Sequence, residues 1–359
     1  MRMADGDETM AMEIESVPGA LEWHANYCER SNAPITARVI RSLLALMETD
    51  TASGRRLAQW AGRGIEDALA LRVVGGLHSL SLSGEEPRLE PVFQGLITDQ
   101  AQVDAIVCDA ARTFDHRLLP WFDGPPQTNE AGRSASVMGA LLWLSRQLGP
   151  RFELNEIGAS AGINTMMARF VFDLGGTTVG PSLSSIRIEP EWRGDAPPPG
   201  TVEIVEATGC DIAPVDLTDE RQAERLRAYI WADAHDRMAR MDAAIAMAKR
   251  MPPEVQRMDA AEFVAARLAR PQEEGVTRVF FHTIMWQYLP QPTADAITAA
   301  IEAAGDQATS EKPLAWIRLE TNRETFRHEL TVRYWPGGAD EWTLLAQAHP
   351  HGEWVEWNG

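Results

Sequence analysis

The sequence predicts an α/β protein. Its expected form is a mostly parallel, seven-stranded sheet with a closing antiparallel hairpin, preceded by a helical N-terminal domain. Three observations carry this. From Arg151 onward, apolar runs of strand length alternate with helical stretches, the pattern of βαβ units whose strands are buried on both faces. From Pro18 to about Leu148 the apolar residues recur at helical spacing and strand alternation is scarce. Near the end, two strand-like runs flank Pro336-Gly337-Gly338, a hairpin signal. A length of 359 residues agrees with about two domains at roughly 150 residues each.

Each element follows from its residues. Positions 1–16 are acidic, Met-rich and without period, and are expected to be disordered. Positions 17–150 form the helical domain, with Leu43, Leu44, Leu46 and Met47, then Ile65, Leu69 and Val73, at helical spacing. Its last helix, 128–148, takes Thr128 or Asn129 as N-cap, Glu130 in the first turn and Gly149-Pro150 as stop. The second domain, 151–359, is expected to run strand 152–157, helix 162–172, strand 202–210 and a helical stretch 219–250 broken near Trp231. Strand 255–258, helix 260–269, strand 276–281, helix 293–304 and strand 314–319 follow, and the hairpin pairs 329–334 with 342–348. Positions 173–200, rich in Gly, Pro and Ser, form an insertion.

Composition narrows the function. There are 33 basic and 52 acidic residues, a net charge of −19. That speaks against nucleic acid and anionic membranes as partners, which need a basic footprint. Lysine occurs only at Lys249 and Lys312, neither in a Gly-rich loop, so no P-loop is present and Schiff-base chemistry is disfavoured. Cys28, Cys108 and Cys210 are scattered and form no cluster with zinc spacing, so free thiols in a reducing cytoplasm are expected and no metal. No basic-then-apolar leader opens the chain, and its longest apolar run, 137–144, is too short for a bilayer. A soluble, cytoplasmic protein is the expectation.

The sharpest motif is Glu156-Ile157-Gly158-Ala159-Ser160-Ala161-Gly162, between a predicted strand and a predicted helix. Two chemistries fit. A Gly-containing loop at a helix N-terminus lets backbone approach a ligand, and its free N–H groups favour anions. An acid two residues before the first glycine is typical of Rossmann-like, methyltransferase-type folds that bind S-adenosylmethionine. Alternatively, Gly158-x-Ser160-x-Gly162 matches a nucleophile elbow with Ser160 as attacking hydroxyl. The plainer alternative is a tight turn that needs small residues.

Downstream residues extend the first chemistry. Asp211, at a strand tip, suits two ribose hydroxyls because a carboxylate accepts two hydrogen bonds at once. Asp259, followed by Ala260, suits an adenine amino group. Each Asp alone also reads as a helix N-cap. Asp211 follows Glu156 by 55 residues (211 minus 156), against about 20 for this step in such folds; the insertion accounts for the excess. His282 ends the fourth strand, where parallel sheets place ligands, and is the candidate base. Trp286 and Tyr288 are candidates for an aromatic substrate wall. From the helical side, Gln127, Asn129, Glu130 and Arg133 are candidates to close a crevice over the strand ends, Arg133 by pairing with a carboxylate. A hydrolase would need an acid and a histidine after Ser160, Asp211 or Asp259 with His282 or His349, but its sheet normally has several strands before the elbow.

The whole chain resembles the bacterial family catalogued as domain of unknown function 2332. The resemblance rests on Leu71-Arg72-Val73-Val74-Gly75-Gly76-Leu77-His78, Gln127-Thr128-Asn129-Glu130-x-x-Arg133 and Glu156 through Asn164. It continues in Asp211-x-x-Pro214-Val215-Asp216, Tyr334-Trp335-Pro336-Gly337-Gly338 and His349-Pro350-His351-Gly352-x-Trp354. The resemblance adds no activity, and the likeness of the second half to a class I methyltransferase is an analogy of fold. The expected function is S-adenosylmethionine-dependent methyl transfer to a small molecule. Glu156, Gly158, Ala159, Ser160, Gly162, Asn164, Asp211, Asp259 and Ala260 would hold the cofactor. The rivals are a Ser160 hydrolase and a non-catalytic binding protein of the same fold.

Overall fold

A computed structural model describes residues 16–359. The acidic stretch expected to be disordered lies outside the described residues, except Ser16, whose hydroxyl caps the first helix by accepting from the Gly19 N–H. The chain forms two compact units, one of residues up to Thr128 plus Asp219–Ala239, the other of Asn129–Thr218 plus Arg240–Gly359.

The first unit is helical: α1 (Val17–Arg30), α2 (Pro34–Met47), α3 (Ala52–Ala58), α4 (Leu69–Leu82), α5 (Glu90–Phe93) and α6 (Gln100–Leu118). One core unites Leu21, Ile40, Leu43, Leu77, Val107 and Phe122. In α2, Val39, Ile40, Leu43 and Leu46 lie on one buried stripe, as a 3.6-residue period requires. Its N-terminus is capped from afar: Asp233 accepts from the N–H groups of Ile35 and Thr36 at 2.9 Å each and from the Thr36 hydroxyl at 2.7 Å.

The second unit opens with α7 (Ser134–Leu148), whose buried face includes Val137, Leu141 and Leu144. The 128–148 helix is therefore shorter than expected, and its first turn is a 3-10 turn, Ala131–Arg133, capped by Glu130 rather than by Thr128 or Asn129. Then come β1 (Arg151–Ile157), β2 (Val171–Leu174), β3 (Thr177–Val179), β4 (Arg187–Ile188), β5 (Glu191–Arg193) and β6 (Glu203–Asp211). The chain continues through α8 (Glu220–Ala228), α9 (His235–Arg250), β7 (Val255–Arg257), α10 (Ala260–Ala269), β8 (Thr277–Thr283) and α11 (Gln291–Gly305). It ends with β9 (Leu314–Thr321), β10 (His328–Trp335), β11 (Thr343–Ala348) and β12 (Trp354–Trp357).

The main sheet has nine strands, not seven, in the order β5-β12-β11-β10-β9-β8-β1-β6-β7. Strands β7, β6, β1, β8 and β9 are mutually parallel. Beyond β9 the chain doubles back as an antiparallel meander through β10, β11 and β12. The two extra strands come from both sides of the count: β12 continues the hairpin, and β5, from the insertion, pairs parallel to it. The rest of the insertion makes a small sheet, β3-β2-β4. Strand β8 is buried along its whole length, as a central parallel strand should be.

The helix expected over 162–172 does not form. Positive φ at Gly158 (69°), Ser160 (53°) and Gly162 (72°) keeps the chain in turns. A 3-10 turn, Asn164–Arg169, follows and leads straight into β2. The Asn164 side chain turns inward to Glu156 instead of lining a helix face. No helix among the described residues is long and apolar enough to cross a membrane.

Candidate functional site

The parallel strands order themselves outward from β1, so the strand order reverses between β1 and β8. In open α/β sheets the crevice at that switch, beyond the carboxyl ends of the strands, is where ligands bind. The Gly158–Gly162 loop leaves β1 there. Glycine at Gly209 on β6 lets the loop sit close, since a Cβ there would stand 2.5 Å from that of Ala159.

Three of the loop's N–H groups are spent within the protein. Ala159 donates to the Cys210 carbonyl at 2.8 Å, Ser160 to Asp211 Oδ2 at 2.9 Å, and Gly162 to the Ala159 carbonyl at 2.8 Å. Ile163 donates to Asn129 Oδ1 at 2.8 Å. The expected anion-favouring set of free N–H groups is therefore reduced. What the loop leaves without partners is mainly acceptor atoms. Glu156 Oε2, Asn164 Oδ1 and Ser160 Oγ are buried with no hydrogen-bond partner. Glu156 Oε1 accepts from Asn164 Nδ2 at 3.0 Å. Burial pushes the Glu156 carboxyl up to about 8; the Asn164 hydrogen bond and the Arg133 charge pull it down, and the Asp211 charge raises it further. Such buried orphans are rare in folded proteins and mark places where a partner belongs.

Asp211 at the tip of β6 is half-buried and accepts from Ser160 N–H on Oδ2 and from Ala213 N–H on Oδ1. Each oxygen keeps a second lone pair for a ligand donor. Asp259 is exposed and caps α10 through Oδ1, from Ala261 and Glu262 N–H; buried Ala260 is the first residue of that helix. Arg133 is buried, donating to the Pro350 carbonyl at 2.7 Å. Glu130 is buried too, and holds the Gly132 N–H at 3.0 Å and Arg240 at 3.2 Å. Gln127 belongs to the first unit. Tyr288 is 74 % exposed, so no packed substrate wall forms around it. Cys210, pushed up to about 12 by burial, is no nucleophile.

His282 is fully buried on the opposite face of the strand ends. Its Nδ1 lies 2.7 Å from Glu320 Oε1, which also accepts from the N–H groups of Met285 (3.1 Å) and Trp286 (3.3 Å). With Nδ1 donating, Nε2 carries the lone pair, and it has no partner. Trp286 stacks on the ring at 4.7 Å. Met285 then lies over the loop: a Cβ on Gly158 would stand 2.8 Å from its methyl carbon. Ser160 Oγ and His282 Nε2 both lack partners, so the two are not joined as nucleophile and base.

Glu320, Arg318 and Met285 escaped the sequence reading. Trp316, Arg318 and Glu320 recur with the two-residue period of one strand face, a signal that could have found them.

The family model described as "Uncharacterized protein conserved in bacteria (DUF2332)" matches residues 19–357. No curated protein and no solved structure matches the chain.

Proposed function

Because the chain belongs to this bacterial family, whose description states no activity, we propose a function from the site alone: binding of S-adenosylmethionine and methyl transfer to a small molecule. The observation that carries this is the polarity of the loop. A phosphate-binding loop offers N–H donors, whereas this one has used most of its donors and presents acceptors, on Glu156, Asn164, Asp211 and Asp259. Such a set wants a ligand rich in donors: an ammonium, two ribose hydroxyls and an exocyclic amine. The strand order supports the same reading, with the glycine loop after the first strand and acids after its two successive neighbours.

When bound, S-adenosylmethionine supplies an electrophilic methyl group. The rest falls to this chain. Asp211 holds the ribose hydroxyls while keeping Ser160 and Ala213 N–H in place. Asp259 accepts from the adenine amine on Oδ2. Glu156, backed by Asn164, faces the ammonium, whose positive charge favours the carboxylate over the proton that burial favours in its absence. Met285, an unbranched thioether, gives way over Gly158. His282, oriented by Glu320, takes a proton at Nε2 from an acceptor oxygen or nitrogen that has one to lose.

Calorimetric titration with S-adenosylhomocysteine tests the reading. Wild type should bind in the micromolar range, and Asp211→Asn, which keeps an acceptor on one oxygen, should weaken binding at least about tenfold, or about 1.4 kcal/mol. Absence of heat at about 100 μM ligand, where a micromolar site is saturated, would remove it. One observation favours the hydrolase rival: Ser160 sits at φ 53° within Gly-x-Ser-x-Gly. A fluorophosphonate probe that labels wild type but not Ser160→Ala would move the assignment there.

A further inference from the structure

Near the carboxyl end of β9 stands a cation without a counter-charge. Arg318 is half-buried, and its Nε donates to the Thr331 hydroxyl at 3.1 Å. Its guanidinium carbon lies 3.4 Å from the centre of the Trp342 ring. Among the described residues no carboxylate comes within ion-pair distance of it. The nearby acids are engaged elsewhere: Glu320 by His282 and two backbone N–H groups, Glu329 by Asn322 Nδ2 at 3.1 Å. The neighbouring cation, Arg333, pairs with Glu302 on α11. Burial lowers the Arg318 guanidinium to about 10, with Glu320 opposing the shift and Arg333 adding to it. A desolvated cation whose outer N–H groups have no acceptor is costly unless something pairs with it.

Its surroundings are aromatic and continuous with His282. Arg318 and His282 are direct register partners on adjacent parallel strands. Trp342 packs edge-on to Trp316 at 4.8 Å, Trp316 lies 5.7 Å from Trp286, and Trp286 stacks on His282. Trp286 and Trp342 are both partly exposed. One patch thus presents a guanidinium fork and two partly exposed indoles, with the His282 ring buried beneath Trp286.

We propose that this patch binds a planar aromatic carboxylate, with the carboxylate on Arg318 and the ring against Trp286 and Trp342. Arginine's paired N–H groups match a carboxylate bidentately, and indole faces stack on flat rings. Taken with the methyl-transfer reading, on which this part of the inference rests, the ligand is the acceptor. His282 then lies beneath the same strand-end patch as the anchoring cation, behind Trp286.

Fluorobenzoate and its neutral isostere fluorobenzamide, followed by fluorine NMR line broadening on the full chain, test it. Wild type should prefer the carboxylate at least about tenfold, a difference of about 1.4 kcal/mol, and Arg318→Gln should erase the preference. Arg318→Lys, which keeps the charge but loses the fork, should fall between. Equal binding of both probes, binding of neither, or a preference kept by Arg318→Gln overturns the proposal. The wild-type comparison decides by itself should the Gln variant not fold. S-adenosylhomocysteine titrated into the same samples separates the two readings. Cofactor bound with both probes refused removes the carboxylate site alone. Fluorobenzoate preferred with cofactor refused supports the carboxylate site and removes methyl transfer.

Discussion

Beneath the Gly158–Gly162 loop, burial favours the protonated form of the Glu156 carboxyl. Desolvation pushes Glu156 up to about 8, against an ordinary value of 4.5. The folded state therefore holds a proton that the unfolded chain releases between those two values. Stability from this group is fully present below 4.5 and is lost as pH rises through about 8. Glu156→Gln keeps the shape and an acceptor for Asn164 but cannot ionise. The stability gap between the two proteins should move toward the Gln variant as pH rises from about 5 to about 8, by at most about 1.4 kcal/mol per pH unit. Urea unfolding at three pH values measures the gap, and a pH-independent gap would show that Glu156 is already ionised. The motif marked Glu156 as a candidate from the sequence. Its neutrality was not legible, because desolvation depends on what covers the group, and Arg133 and Asn164 reach it only in the fold.

Helices in the first unit borrow caps from distant chain. Asp233 closes the N-terminus of α2, and Asp115 on α6 closes that of α3 by accepting from Ala52 and Ser53 N–H at 2.6 and 2.8 Å. Ala33, next to α2, contributes no side-chain cap. Asp233→Ala removes three hydrogen bonds at one helix end and should cost about 1–2 kcal/mol of stability, with Asp233→Asn costing less; chemical denaturation reads the difference. A loss below about 0.3 kcal/mol would mean that water replaces the carboxylate as the cap. Local caps were within reach of the sequence: Asp259 precedes α10 and caps it. Asp115 gives no such local signal, because its partners are 63 and 62 residues away. The 162–172 segment misled for a related reason. Its composition is helix-compatible, but Ser160 at positive φ and an inward Asn164 decide the backbone, and both depend on β6 and Glu156 being in place.

Over the whole molecule, the alternation of apolar runs and helices after Arg151 was enough to foresee parallel strands, because strands buried on both faces need crossover helices on each side. It could not foresee how the chain divides. Periodicity tells which face of α8 is apolar, not what the face covers, and α8 joins the first unit although it follows β6 of the second. There, the Ala228 carbonyl meets His78 Nδ1 at 3.2 Å, and Tyr229 packs edge-on to Trp121 at 5.2 Å and against the bare backbone of Gly75. Asp233 caps α2 from the same return segment. A fragment of residues 16–128 thus keeps its helical sequences but loses a cap, a buried histidine's partner and the cover over Trp121. It should show helical circular dichroism without a cooperative thermal transition, and should bind an apolar dye. The full chain should melt cooperatively and bind little. A fragment that melts sharply, within a few degrees of the full chain, would show that 219–239 decorates the first unit rather than completing it. Loss of cooperativity would mean that this unit folds only after the chain has passed through the first strands of the other, a long-range requirement that slows folding as sequence separation grows.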